Sequence, residues 1–238
     1  MRTLLKDGCI LSMDARVGDL GRGSVLIENG RITAIERDIE AEPGTEVVDA
    51  SDFIVLPGFV DTHRHTWQSV LRHRMGDLDF WTYCADMLRD IGRSYRPEDV
   101  HIGTKLGAVA ALESGTTTLV DWSHIQNTPE HGDAAIAGLC ESGIRAVFAH
   151  GWPRTDSANW VRNSTTPHPE DIVRIRRDVL SDDDALVTLA MAARGPEMTT
   201  IEIARQDFQT ARGLGINTTM HAGIRDPGPR FRAIAAMH

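Results

Sequence analysis

From residue 59 onward the chain is predicted to be α/β with a parallel sheet, and three observations predict it. Apolar runs of strand length recur at 59–63, 116–121, 145–149, 186–191 and 216–220. The segments between them carry helix start and stop signals. Three units also repeat one order, a helix, a Gly that can take φ > 0, and a strand ending in a polar residue. Gly115 leads to Asp121, Gly143 to His150 and Gly215 to His221. Right-handed crossovers between such units give a parallel sheet covered by helices, either open and doubly wound or closed as a (β/α)8 barrel. Both put chemistry at the carboxyl ends of strands, so the polar ends discriminate weakly. No G-x-G-x-x-G follows the first strand, which counts against a dinucleotide fold.

The helices are set by their punctuation. One opens near Pro97, in the first turn where Pro is tolerated, and ends before Gly115. A second covers Ala134–Glu141 and ends before Gly143. A third starts after Pro169, with Glu170 and Asp171 in its first turn, where the helix dipole favours acids. A fourth opens on the capping-box pattern Thr199-x-x-Glu202 and stops near Gly213 or Gly215. Residues 1–57 have another rhythm. Thr3–Leu5, Cys9–Ser12, Val25–Glu28, Arg31–Glu36 and Glu46–Asp49 read as short strands, with Asn29-Gly30 as a hairpin turn. The expected division is therefore a β-rich segment at 1–57 and the α/β unit at 58–238. The stretch Ser157–Pro167 reads as a long loop over the mouth of the sheet and a candidate lid. Asp182-Asp183-Asp184 reads as a solvated turn.

Composition narrows the function classes. With 238 residues and 41% apolar content, the chain can bury a sizeable core. Its net charge of −9 opposes a nucleic-acid partner, whose phosphates need a basic face. Cys9, Cys84 and Cys140 are odd in number and far apart, the usage of a reduced, cytoplasmic protein without a thiolate zinc site. Lys6 and Asp7 interrupt the place of a signal peptide, and no uncharged run reaches the roughly 18 residues that cross a bilayer. A small-molecule substrate is the expected partner.

The strand at 59–63 ends in His63-Arg64-His65. Spacing i, i+2 sends both imidazoles to one face and Arg64 to the other. Two neutral imidazoles at a strand end are half of a divalent-metal site. Asp61, one pleat below, is placed to orient an imidazole. His221 closes the run Ile216–Met220 and is the third candidate ligand. Trp67, Trp122 and Trp152 each follow a strand end, where they form either an apolar wall for a planar ring or loop packing. His124 and His150 lie on the same rim and are candidates to face substrate.

The string Pro57-Gly-Phe-Val-Asp-Thr-His63-Arg-His65, preceded by a β-rich segment, resembles the amidohydrolase superfamily. Its extension through Trp67, Gln68 and Arg72 is similar to the branch of guanine, 8-oxoguanine and S-adenosylhomocysteine deaminases and chlorotriazine hydrolases. The resemblance covers nearly the whole chain. It implies a partial (β/α)8 TIM-like barrel of strands one to five, preceded by a small β-sandwich segment, in a chain incomplete at its C-terminus. It also implies that His63, His65 and His221 bind one divalent metal, Zn²⁺ or Fe²⁺, and that Gln68 touches substrate. The implied activity is hydrolysis of a C–N bond other than a peptide bond, or of a C–halogen bond, in a small ring-shaped substrate.

Three departures from the family pattern bear on the chemistry. The deaminase Glu three residues after the fifth-strand His is Ile224 here, with Asp226 as a substitute. The only lysines, Lys6 and Lys105, are far from 186–194, so a carbamylated bridge between two metals is not expected. The sixth-strand His and eighth-strand Asp would lie beyond residue 238, and His238 reads as the end of a helical pattern over Phe231–Met237. No catalytic base is therefore assigned, and weak or no turnover is expected of these residues alone. The rival expectation is a non-catalytic metal-binding half-barrel that pairs through an open sheet edge as a homo-oligomer.

Overall fold

A computed structural model describes residues 1–74 and 76–223 of the protein. Ile224, Asp226, the pattern at 231–237 and His238 lie outside the described residues. Contacts divide the chain into two units, Met1–Gly58 and residues from Phe59 onward.

The first unit is one mixed five-stranded sheet. Its strands are β1 (Arg2–Leu11), β2 (Asp19–Glu28), β3 (Arg31–Glu36), β4 (Glu46–Asp49) and β5 (Ile54–Val55). The order is β3-β2-β1-β4, with β5 also on β1. Asn29 and Gly30 join β2 to β3 with φ of 51° and 78°, the two positive values that a type I′ turn requires. The two short strands read at Thr3–Leu5 and Cys9–Ser12 are one strand. A bulge between Leu5 and Gly8, with Asp7 at φ 67°, inserts an extra residue and breaks the apolar alternation there. Leu4, Ile10, Val25 and Ala50 form its buried centre.

Among the described residues the second unit holds a five-stranded parallel sheet in the order β10-β9-β8-β7-β6. Its strands are β6 (Phe59–Arg64), β7 (Thr116–Ser123), β8 (Arg145–His150), β9 (Val187–Ala193) and β10 (Asn217–Met220). Among the described residues these strands and the helices between them form a partial (β/α)8 barrel. Helices α1 (Pro97–Glu113), α2 (Pro129–Ser142) and α3 (Ile201–Gly213) lie between strands, with a further helical segment at Asp171–Val179. Gly115, Gly143 and Gly215 have φ of 86°, 76° and 66°, and each leads into a strand as the sequence order requires.

Helix α2 starts five residues before the predicted Ala134, because Thr128-Pro129 opens it despite a polar first turn. Helix α3 is capped by Thr200, whose hydroxyl accepts from the Ile203 N–H at 3.4 Å. Thr199, the expected cap, is buried and donates its hydroxyl to the Gly195 carbonyl instead. A helical turn at Thr66–Leu71, a longer helical stretch at Phe80–Ser94 and a short helix at Ser157–Val161, inside the stretch expected to be a loop, were not legible as elements.

Both faces of the parallel sheet are buried, and residue size separates them. On the helix-covered face Leu119, Phe148, Leu189 and Met191 pack with Ala108, Ile136 and Leu139. On the inner face Ala149, Ala190 and Ala192 leave room for Trp122 and Trp152. The turn after β6 sits tightly on α1. A Cβ on Gly103 would stand 2.5 Å from the Trp67 carbonyl oxygen, so only Gly lets that segment approach.

Candidate metal centre and cavity

Strand β6 carries a bulge at the site. Asp61 pairs with Leu119 and Arg64 with Asp121, so three steps on β6 match two on β7. The extra residue removes Asp61 from the role predicted for it. Its carboxylate accepts from Arg64 Nε at 2.7 Å and from the His63 backbone N–H at 3.1 Å, and orients neither imidazole. Asp121, fully buried, accepts from the Thr66 N–H at 3.1 Å and so fixes the chain immediately after His65. Burial pushes its carboxyl up to about 6.

His63, His65 and His221 converge on the inner face. One ring nitrogen from each lies within 4.8 Å of the others, and His63 Nε2 stands 3.0 Å from His221 Nε2. Ligand nitrogens about 2.0–2.1 Å from a tetrahedral Zn²⁺ are about 3.3 Å apart, close to that spacing. His65 Nδ1–H donates to the Trp122 carbonyl at 2.7 Å, which leaves the Nε2 lone pair free for a cation. Burial holds the His65 imidazole down, at about 3, and that of His221 at about 4. Both are thus neutral at physiological pH, the form a metal ligand needs. The donor set fits Zn²⁺ or Fe²⁺.

The other predicted residues fall in different places. Trp122 is the floor of the cluster, its ring 3.9 Å from that of His221. His124 stacks on His65 at 4.2 Å, and its Nδ1 accepts from Trp67 Nε1–H at 3.3 Å. Trp67 itself is core on the helix-covered face. Gln68 donates to the Tyr83 hydroxyl at 2.8 Å and lines an open depression together with His65 and Arg72. His150 points to the helix-covered face, where its Nδ1 lies 3.0 Å from His168 Nε2, away from the histidine cluster.

A cavity of about 790 Å³ opens over the cluster, with His65, His124 and His221 in its wall. Phe80, Trp81, Tyr83 and Trp152 supply aromatic surface, and Arg154 and Glu197 supply charge. Among these only Trp152 was anticipated. The run Phe80-Trp81-Thr82-Tyr83 was the available signal, obscured because the segment lacks the repeat order of the main helices. Glu197 is the acidic residue of the described cavity wall, and its Oε1 accepts from the Gly223 N–H at 2.7 Å. The candidate lid contributes Ser157, Ala158, Val161 and Arg162 to the wall. It is tied down where Ser164 N–H donates to Met198 O and Thr200 N–H donates to Ser164 O.

Residues 54–238 match the amidohydrolase family. The chain belongs to it. A 5-methylthioadenosine/S-adenosylhomocysteine deaminase of Caldicellulosiruptor saccharolyticus is 30% identical over 155 residues, 63% of this chain and 34% of that protein. A 5'-deoxyadenosine deaminase of Methanobrevibacter smithii is 36% identical over 149 residues, 62% and 32% of the two chains. The chain thus spans about a third of the length of these curated relatives. A variant of atrazine chlorohydrolase from Arthrobacter aurescens, solved with zinc and atraton, superposes with a TM-score of 0.82 at 16% identity, covering 99% of this chain and 58% of that one. That likeness is one of fold. Lys105, one of the two lysines, pairs with Glu141 at 2.8 Å on the helical layer, far from any bridging role. Among the described residues no helix is long and apolar enough to cross a membrane.

Proposed function

We propose that this amidohydrolase chain is the metal-binding part of a hydrolase acting on a C–N bond, or a C–halogen bond, of a small ring-shaped substrate. The convergence of three imidazole nitrogens at the foot of an aromatic cavity carries the reading. His63, His65 and His221 would hold a divalent ion, zinc the first choice and iron the second, which would supply activation of water as a nucleophile near neutral pH. The protein's own groups do the rest. Trp122 holds the His65 tautomer through its carbonyl and supports the His221 ring from below. Trp152, Trp81 and Tyr83 offer flat apolar surface for a ring, and enclosure by them excludes water. Glu197 anchors the chain two residues beyond His221. Relatives named as deaminases and a neighbour named as a chlorohydrolase support the two bond types.

The edge strand β6 favours a second reading, a half-barrel that pairs with another copy, because Phe59 and Val60 are exposed along it. Size-exclusion mass separates the two, since a monomer opposes pairing. The metal reading is tested by elemental analysis of the zinc-loaded chain beside a His63→Ala, His65→Ala double variant. About one zinc per wild-type chain and none in the variant is the expected result. Equal metal in both overturns the assignment.

A further inference from the structure

We propose that Arg154 forms a subsite for an anionic substituent, a carboxylate or a group of like charge, on the substrate ring. The inference rests on the reading of the cavity as the substrate site. Arg154 follows β8 in the turn Gly151-Trp152-Pro153, and its position is fixed from several directions. Its backbone N–H donates to Asn127 Oδ1 at 2.7 Å, and Asn127 Nδ2 in turn donates to the Gly92 carbonyl at 2.9 Å. Its stem runs along Gly92, where a Cβ would stand 2.8 Å from Arg154 Cγ. Its Cζ lies 5.3 Å from the centre of the Trp152 ring, a cation–π distance.

The side chain lines the cavity and is only 3% exposed, yet among the described residues Nε and Nη2 have no hydrogen-bond partner. A buried guanidinium without a counter-charge is costly to maintain. The other deeply buried arginine shows the usual remedy. Arg194 pairs with the Asp207 carboxylate at 2.9 Å and also donates to Thr166 O. Among the described residues the groups that favour the Arg154 charge are Tyr83 and Cys84, and no carboxylate is among them. Burial draws its pKa down to about 10, so the charge persists at neutral pH. A ligand whose ring stacks among Trp152, Trp81 and Tyr83 would bring an anionic substituent against the Arg154 guanidinium where it lines the cavity. A guanidinium fork binds a planar carboxylate bidentately.

The test compares benzoate with benzamide, a neutral probe of the same shape, by isothermal titration calorimetry on the full chain with and without zinc. Benzoate is expected to bind at least ~10-fold more tightly in both forms, as a charge-assisted pair requires. Arg154→Met should abolish the preference and Arg154→Lys should retain part of it. Equal binding of the two probes to wild type, failure of both to bind, or an undiminished preference in Arg154→Met overturns the proposal. So does a preference that disappears when zinc is removed, because the carboxylate is then bound by the metal. The wild-type comparison stands even if a variant does not fold. Loss of zinc binding would instead count against the hydrolase reading, while the zinc-free arm still judges Arg154.

Discussion

Two groups of histidines occupy opposite faces of the same parallel sheet. On the inner face His63, His65 and His221 turn three ring nitrogens toward one point beside a cavity. On the helix-covered face His150 and His168 hydrogen-bond each other at 3.0 Å, both buried. The His168 backbone N–H donates to Asp207, which pairs with buried Arg194. His150 and His221 end their strands in the same repeat, so position at a strand end does not separate a residue of the candidate metal centre from a core residue. Side-chain parity does, because alternate residues face opposite ways. His150 shares its face with Phe148, whereas the inward residue next to it is Ala149. His221 follows Met220, which packs on the helix-covered side, and is therefore turned inward.

The largest expected effect breaks the first group alone. His221→Ala should lose tight zinc binding, since two imidazoles leave a site short of its three protein ligands. The His150→Gln variant should keep full zinc content, and elemental analysis of the pair checks the contrast. Next comes the second group's ion pair. Asp207→Ala leaves Arg194 buried and unpaired, and unfolding free energy in urea should fall by about 3–5 kcal/mol, with zinc stoichiometry unchanged.

Acid should act on the second group through the same burial. The imidazole of His150 is held down to about 4 from an ordinary 6.5, and that of His168 is also lowered. Below pH 6.5 the unfolded chain takes up a proton that folded His150 refuses until about pH 4. Its contribution is therefore complete above pH 6.5 and lost between 6.5 and 4, by roughly 3 kcal/mol. Zinc-free His150→Gln should show a correspondingly smaller fall in stability across that window than wild type. The smallest effect is at the cap of the helix that carries Asp207. Thr200→Ala should cost about 1 kcal/mol in urea unfolding and leave the metal site untouched.

The sequence made the strands legible wherever one pattern ruled, as in the apolar runs of β6 to β10 and the glycines that precede them. It misled where local geometry broke the period. Bulges in β1 and β6 add a residue that no alternation shows, which split β1 in two and misassigned Asp61. The three histidines of the candidate metal centre could be singled out because they lie at the ends of apolar strands. Arg154 and Glu197 could not, because an isolated charged residue in a loop gives no sign of burial until the fold closes around it. Gln68 was a candidate to face substrate from motif likeness, and it bonds Tyr83 of the cavity wall; Trp67, whose position left an apolar wall or packing open, packs in the core.

The central claim, one cation held by three imidazoles, is most directly tested by zinc-edge X-ray absorption on the zinc-loaded chain. The spectrum should show imidazole scattering from three nitrogens at about 2.0–2.1 Å, falling in His221→Ala. A sulfur shell at about 2.3 Å, or an imidazole signal unchanged in that variant, would contradict it.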